Sequence, residues 1–272
     1  MMLAARVIPC LDIKDGRVVK GVRFQELRDA GDPVENAAAY EEQGADEIIL
    51  LDVSATPEGR GNAVETVRAV RSVLSIPLTV GGGVRRESDA GRLLDAGADK
   101  VGVNTAAVSR PDLVAEIASR FGSQCTVLAV DAAARVGGPP VIGTERGHIR
   151  TSGSQLRSRW EVVVQSGSHR TGLDVVEWCR KATALGAGEI LLTSWDRDGT
   201  RDGYDVELIA AVAGSVTVPV IASGGAARSE HLVTALRAGA SAALVASILH
   251  DGDTTVADLK LGLSRAGITV RR

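Results

Sequence analysis

Short apolar runs alternate with segments of helical period along almost the whole chain. The runs are continuous in Val, Ile and Leu without polar alternation, which is typical of parallel strands buried on both faces. The pattern predicts eight strands, around 7–11, 48–51, 78–80, 100–103, 127–130, 190–192, 220–222 and 243–245.

The segments between these runs predict helices. Pro33–Glu42 follows Asp32, which suits an N-cap with proline in the first turn. A second helix is predicted to open at 109–112 and a third to span 174–185. Glycines that fit helix C-termini, where a positive φ is needed, stand at Gly44, Gly97, Gly186 and Gly239.

The chain also contains an internal repeat. Residues 44–105 align without a gap on residues 186–247, and about 19 of the 62 paired positions are identical. The period is too long for a solenoid unit, so each copy is predicted to be half of one domain. We expect residues 1–272 to form a single α/β domain, a (β/α)8 TIM barrel built from two duplicated half-barrels. An open doubly wound sheet is the alternative, but no Gly-x-Gly-x-x-Gly follows the first strand.

One segment interrupts the pattern, an extended loop over 132–170 between the fifth strand and its helix. Within it, Trp160–Val164 could be a strand of a small hairpin. A long loop after a barrel strand lies on the active-site face. It is either a lid or a disordered segment, and the sequence does not choose between them.

Composition narrows the class of function. The net charge of −3 and an aromatic content of 3% argue against a basic, base-stacking surface, so no nucleic-acid partner is expected. No apolar run approaches the roughly 18 residues of a membrane span, and the N-terminus reads as a first strand instead of a signal. Cys10, Cys125 and Cys179 are predicted to be core residues of a cytoplasmic protein. No cluster of metal-ligand type is visible, so no metal is expected.

Polar residues stand at the predicted carboxyl ends of strands, where barrel active sites lie. Asp12 and Asp131 end the first and fifth strands, which face each other across the barrel mouth. Two opposed carboxylates can serve as general acid and general base, although each could simply cap its loop. Lys20 in the first loop is either a lid cation over an anionic substrate or a solvated hairpin charge. The other strand-end candidates are Asp52, Asn104, Thr193 and Ser223.

Paired glycine-rich loops predict two phosphate sites. Glycine amides, a hydroxyl and a helix N-terminus together favour an anion. One site combines the Gly81-Gly82-Gly83 loop with Asn104 and Thr105, and the repeat supplies a matching site at Ser223, Gly224, Gly225, Ala246 and Ser247. Two opposed sites imply a long substrate with a phosphate at each end.

These features resemble one family, the cyclase subunit of imidazole glycerol phosphate synthase from histidine biosynthesis. The motifs span nearly the whole chain apart from the insertion. They are 6–12 (Arg-Val-Ile-Pro-Cys-Leu-Asp), 15–21 (Asp-Gly-Arg-Val-Val-Lys-Gly), 28–33 (Arg-Asp-Ala-Gly-Asp-Pro), 77–83 (Pro-Leu-Thr-Val-Gly-Gly-Gly), 104–106 (Asn-Thr-Ala), 121–125 (Phe-Gly-Ser-Gln-Cys), 188–194 (Gly-Glu-Ile-Leu-Leu-Thr-Ser) and 196–200 (Asp-Arg-Asp-Gly-Thr).

The resemblance implies a reaction and a set of roles. The family condenses ammonia with phosphoribulosyl-formimino-aminoimidazole carboxamide ribotide, giving imidazole glycerol phosphate and aminoimidazole carboxamide ribotide, with no cofactor or metal. Asp12 and Asp131 would be the acid/base pair, and Lys20 would close on the substrate. Gly83, Asn104 and Thr105 would hold one phosphate, and Asp52 and Thr193 would line the mouth. The other phosphate would be surrounded by Asp198, Gly199, Gly225, Ala246 and Ser247.

The resemblance also implies a partner. A glutamine amidotransferase (glutaminase) subunit would dock at the N-terminal barrel face and supply ammonia through a gate of charged residues at Arg6, Glu47, Lys100 and Glu189. Charges at the starts of strands are otherwise unusual, and pairing in a ring would satisfy them. A purely structural salt-bridge plug is the alternative, and both roles can hold together.

The chain departs from the family pattern on the active-site face. Gln165-Ser166-Gly167 stands where His-Gly-Gly is usual, Trp195 replaces Met, and Ala133 replaces a basic residue. These changes keep two other hypotheses open. One is a paralogous ammonia-channelling barrel that acts on a different phosphosugar or nucleotide-like substrate. The other is a barrel that binds its ligand without turnover.

Overall fold

The computed structural model describes residues 4–22, 25–54, 64–136, 148–149 and 157–271. The strands within these ranges are β1 (Arg6–Lys14), β2 (Arg17–Val22), β3 (Gln25–Gly31), β4 (Ile48–Asp52), β5 (Leu78–Gly81), β6 (Lys100–Val103), β7 (Thr126–Ala134), β8 (His148–Ile149), β9 (Arg157–Ser158), β10 (Trp160–Val164), β11 (His169–Asp174), β12 (Glu189–Ser194), β13 (Val220–Ser223) and β14 (Ala242–Val245). The helices are α1 (Pro33–Glu42), α2 (Val64–Arg71), α3 (Glu87–Asp95), α4 (Thr105–Ser109), α5 (Asp112–Phe121), α6 (Val175–Ala184), α7 (Val206–Ala213), α8 (Ser229–Arg237), α9 (Ser247–His250) and α10 (Val256–Arg265), with a 3₁₀ turn at Ser123–Cys125.

Eight parallel strands close into a barrel. Their order is β1-β4-β5-β6-β7-β12-β13-β14, and β14 pairs with β1 to complete the ring. All eight predicted strands are therefore confirmed, as is the (β/α)8 fold. The open doubly wound alternative is excluded, because such a sheet would leave two unpaired edges.

Two barrel strands are longer than the sequence pattern predicts. β1 and β7 each continue past the barrel rim, and each then pairs with an antiparallel hairpin, β2–β3 beyond β1 and β10–β11 beyond β7. Asp12 and Asp131 consequently lie inside strands, so the expectation that they end them is wrong. The hairpin strand predicted at Trp160–Val164 is confirmed as β10, whereas 137–147 and 150–156 of the predicted insertion lie outside the described residues.

The predicted helix signals act as expected. Asp32 Oδ1 accepts hydrogen bonds from the amides of Val34 and Glu35, and Asp174 caps α6 in the same way. The helix predicted to open at 109–112 is α5, which follows the end of α4. The four glycines predicted at helix ends all have positive φ values, of 91° to 113°.

The core has two layers. One fills the space between the strands and the surrounding helices. The other fills the barrel interior and consists of Ile8, Cys10, Ile49, Val127, Leu191, Ile221, Ala242 and Leu244. Cys10 and Cys179 are buried as predicted, but Cys125 is half-buried because it lies in the 3₁₀ turn that leads into β7. Within the described ranges, none of the helices is long and apolar enough to cross a membrane.

Candidate active site

Two buried carboxylates occupy the mouth of the barrel. Asp12 on β1 and Asp131 on β7 are each 9% exposed. The thiol of Cys10 donates to Asp12 Oδ1 over 3.5 Å, and Asn104 Nδ2 donates to Asp131 Oδ2 over 2.9 Å. Each carboxylate thus has a neighbour that fixes its orientation without neutralising its charge.

Both carboxylates titrate close to neutral pH. Burial raises the pKa of Asp12 to about 6, with Lys20 opposing the shift and Asp198 adding to it. Burial raises the pKa of Asp131 to about 7, where the hydrogen bond from Asn104 opposes the shift and Asp198 and Asp12 add to it. Groups with such pKa values can both give and take a proton near pH 7.

A cavity of about 320 Å³ opens beside Asp131, on the side of β5 and β6. This first pocket is lined by Gly82, Gly83, Thr105 and Asp131. Asp52, Asn104 and Thr193, which are also candidate site residues from the sequence, line the same cavity. Asp52 is buried, and the hydroxyl of Ser54 donates to its Oδ1 over 3.2 Å.

A second, narrower pocket lies on the opposite side of the mouth, at the ends of β13 and β14. It collects the remaining predicted phosphate residues in one place: Lys20, Asp198, Gly199, Ser223, Gly224, Gly225, Ala246 and Ser247. The two pockets are related by the sequence repeat. Gly82 and Gly224 are equivalent positions, with φ values of 96° and 94°.

Lys20 is only 8% exposed and lines the second pocket from β2. Of the two interpretations left open by the sequence, the solvated hairpin charge is therefore excluded. The hairpin is also tied to this side of the mouth. Arg28 on β3 and Arg201 after β12 both donate to Asp251, and Arg201 also pairs with Asp253 over 2.9 Å.

Sequence reasoning missed three polar residues that line the pockets. Arg85 and Ser166 line the first pocket and Arg201 lines the second. A signal for two of them was available, since Arg85 follows Gly83 by two positions and Arg201 continues the Asp198-Gly199-Thr200 loop. Ser166 reaches the pocket only because the β10–β11 hairpin folds over it, which the linear sequence does not show.

The opposite, N-terminal end of the barrel is closed by an alternating ring of charges. Glu47 is 1% exposed and accepts hydrogen bonds from Arg6 Nη1 at 2.9 Å and from Lys100 Nζ at 2.9 Å. Glu189 accepts from the same two cations. The four residues predicted at strand starts therefore form one closed set of ion pairs. Between this ring and the carboxylates lies the apolar layer of the barrel interior.

Across the described part of the chain, no group of three His, Cys, Asp or Glu side chains is placed to hold a metal ion. The polar groups of the mouth instead consist of carboxylates, hydroxyls, amides and cations. This set suits acid/base chemistry on a bound anionic ligand.

Fold and site together define a class, the duplicated (β/α)8 barrel with two repeat-related pockets and two buried carboxylates at its mouth. A family model described as "Histidine biosynthesis protein" matches residues 6–255. The chain is similar to imidazole glycerol phosphate synthase subunit HisF from two strains of Caulobacter vibrioides, at 54% identity over 99% of this chain and 97% of the relative. It is 52% identical to the subunit of the same name from Mycobacteroides abscessus, over 100% of both chains. The chain therefore belongs to the HisF family, the cyclase subunits of imidazole glycerol phosphate synthase in histidine biosynthesis.

Proposed function

We propose that this chain uses ammonia from a glutaminase partner to convert phosphoribulosyl-formimino-aminoimidazole carboxamide ribotide into imidazole glycerol phosphate and aminoimidazole carboxamide ribotide. The observation that carries the proposal is the position of Asp12 and Asp131. Asp131, with a pKa of about 7, lines the first pocket, and Asp12, with a pKa of about 6, lies within electrostatic reach of Lys20 and Asp198, which line the second. A substrate with a phosphate at each end would present its middle to both carboxylates.

The pockets supply the binding energy for such a substrate. Glycine backbone amides at Gly82 and Gly83 and the hydroxyl of Thr105 suit one phosphate, and Gly224, Gly225 and Ser247 suit the other. Lys20 adds a buried cation at the second pocket. Binding two ends at fixed sites positions the central atoms for reaction, which lowers the entropic cost of the chemical step.

The acid/base roles follow from the different surroundings of the two carboxylates. Lys20 opposes the rise in the pKa of Asp12 and so favours its ionised form, which can accept a proton. The charges of Asp198 and Asp12 both raise the pKa of Asp131, which favours its protonated form, and this form can donate a proton. The amide of Asn104 fixes the direction in which Asp131 presents its second oxygen. General acid/base groups of this kind contribute about 10²–10⁴-fold in rate.

Ammonia is proposed to arrive from the N-terminal face. There Arg6, Glu47, Lys100 and Glu189 form the ring of ion pairs through which ammonia would enter. Neutral ammonia loses little on entering the apolar layer above the ring, whereas an ion would lose its hydration. We propose that the glutaminase subunit docks over this face.

Turnover of the purified chain with the bisphosphate substrate and ammonium salt tests the proposal, at pH about 8.5 where more ammonia is neutral. We expect Asp12→Asn and Asp131→Asn each to lose at least about 10²-fold in kcat. Substrate binding should stay within a few-fold, because neither carboxylate holds a phosphate. Asp95→Asn, an exposed position at the end of α3, is the control and should be unchanged.

Full activity in either variant would remove that carboxylate from the mechanism. A wild-type chain that binds the bisphosphate but gives no product would favour the paralogue or the binding subunit. Titration with other phosphosugars would then separate those two hypotheses.

A further inference from the structure

The two long strands place the two hairpins over opposite pockets. β1 neighbours β14 in the barrel, and its hairpin brings Lys20 to the second pocket. β7 neighbours β6, and its hairpin brings Ser166 to the first pocket. The hairpin of the first half-barrel thus lies at the pocket of the second half, and the hairpin of the second half-barrel lies at the pocket of the first half. Lys20 and Ser166 are thus polar residues that the two hairpins bring to the second and the first pocket respectively.

The turn that carries Ser166 has an unusual backbone. Gln165 and Ser166 both have φ values of 54°, in the left-handed region that non-glycine residues rarely adopt. Strained residues of this kind persist where the surroundings determine them, and they concentrate at ligand sites. The turn lies between β10 and β11, directly above the first pocket.

Contacts on both sides hold this turn in place. The backbone of Gly167 lies against the indole of Trp195, so closely that a Cβ there would stand 2.2 Å from the ring. The hydroxyl of Ser168 donates to Gln165 O over 2.7 Å. The two departures from the family pattern at Ser166 and Trp195 are therefore parts of one packed unit.

The turn also acts on a residue of the phosphate loop. The amide of Gln165 donates to Thr105 Oγ1 over 3.1 Å. Because this oxygen accepts a bond from the turn, its own proton remains available to a ligand in the pocket. Ser166 lines the same cavity, and within the described ranges its hydroxyl has no hydrogen-bond partner.

We propose that the Gln165–Gly167 turn completes the first phosphate site, with the Ser166 hydroxyl donating to the phosphate and the Gln165 amide orienting Thr105 toward it. This inference rests on the proposed function, since it requires a phosphate in the first pocket. Ser166 then adds a hydrogen bond that chains with the usual glycine at this position lack. A chain with glycine there would bind the same phosphate more weakly.

Two substitutions separate the hydroxyl from the backbone strain. Ser166→Ala removes the hydroxyl and keeps the strain, whereas Ser166→Gly removes both. We expect both variants to raise KM for the bisphosphate by about tenfold, the effect of losing one hydrogen bond to a charged group, with kcat within twofold. Only Ser166→Gly should also raise Tm. Calorimetric titration with inorganic phosphate should show the same weakening at the first pocket.

The negative control is Ser72→Ala, which removes an exposed hydroxyl just after the end of α2 and should change neither KM nor the affinity for inorganic phosphate. The positive control is Thr105→Ala, which should weaken phosphate binding in the first pocket. An unchanged KM in Ser166→Ala, with Thr105→Ala impaired, would overturn this inference and leave the proposed function intact. A wild type that binds neither inorganic phosphate nor the bisphosphate would overturn both.

Discussion

Burial of a carboxylate has a cost in stability that can be measured. Asp131 has an ordinary pKa near 3.8 in an unfolded chain and a pKa of about 7 in the fold. Between these values the folded chain holds a proton that the unfolded chain has released, so the free energy of unfolding falls as pH rises through this window. Above pH about 7 the penalty is complete, and the site keeps an ionised group where a neutral one would be more stable.

We therefore expect Asp131→Asn to increase the free energy of unfolding at pH 8, by up to about 4 kcal/mol, because each pKa unit corresponds to about 1.4 kcal/mol. The gain should shrink as pH falls from about 7 towards 5. Urea unfolding of both chains at pH 8 and pH 5.5 measures it. A gain that is equal at both pH values would mean that charge burial is not its cause.

The sequence predicts which residues meet at the mouth more completely than it predicts their state. Both sets of phosphate residues line the pockets that the glycine loops indicate, and Asp131 lines the first of these pockets. The burial of Lys20 and the hydrogen bond from Asn104 to Asp131 are not predictable in this way. Both depend on contacts between residues far apart in the chain, and these are set by barrel closure.

At the scale of elements, the phosphate loops depend on the close approach of neighbouring strand ends. Gly82 leaves β5 with a φ of 96°, and a Cβ there would stand 2.2 Å from the carbonyl oxygen of Asp52. At its repeat partner Gly224, an added Cβ would likewise stand 2.8 Å from the carbonyl oxygen of Ser194. Duplication has thus preserved a backbone contact as well as a glycine.

Alanine substitutions can separate this contact from backbone strain alone. Gly44 has a φ of 91°, but nothing lies within 4 Å of the place where a methyl group would stand, so Gly44→Ala should lose only about 1–2 kcal/mol of unfolding free energy. Gly82→Ala must also displace Asp52 and should lose about 3–5 kcal/mol. Denaturant midpoints of the two variants compare them. Equal losses would show that the strand ends can move apart freely.

The hairpins mark the limit of prediction at this scale. The strand at Trp160–Val164 was predictable from its apolar run, because local pattern determines it. The extension of β1 and β7 beyond the rim was not predictable from the sequence, because the apolar runs stop at Asp12 and Asp131 and so make these residues look like strand ends. The antiparallel pairing of β7 with β10 carries the strand onward, and that partner is distant in sequence.

At the scale of the whole molecule, the charged ring joins both half-barrels. Glu47 and Glu189 are equivalent positions of the repeat, and each binds the same two cations. Lys100 has Ala242 as its repeat partner, so the second half supplies no matching cation there. The charges of the two anions and two cations balance only when β1, β4 and β6 meet β12 of the second half. The ring is therefore sensitive to the closure of the barrel.

Loss of one charge from this ring should affect stability and ammonia delivery differently. Glu47 also accepts a hydrogen bond from Thr79 Oγ1 over 2.6 Å, so Glu47→Gln should lose about 3–5 kcal/mol of unfolding free energy. Adding Lys100→Met restores neutrality and should recover part of this loss. If the ring gates ammonia, both variants should lose more glutamine-dependent turnover, measured with the partner, than ammonium-dependent turnover, because ammonium salt can supply ammonia through the mouth. Equal losses in the two assays would leave the ring a structural closure of the barrel floor, and ammonia would need another path to Asp12 and Asp131.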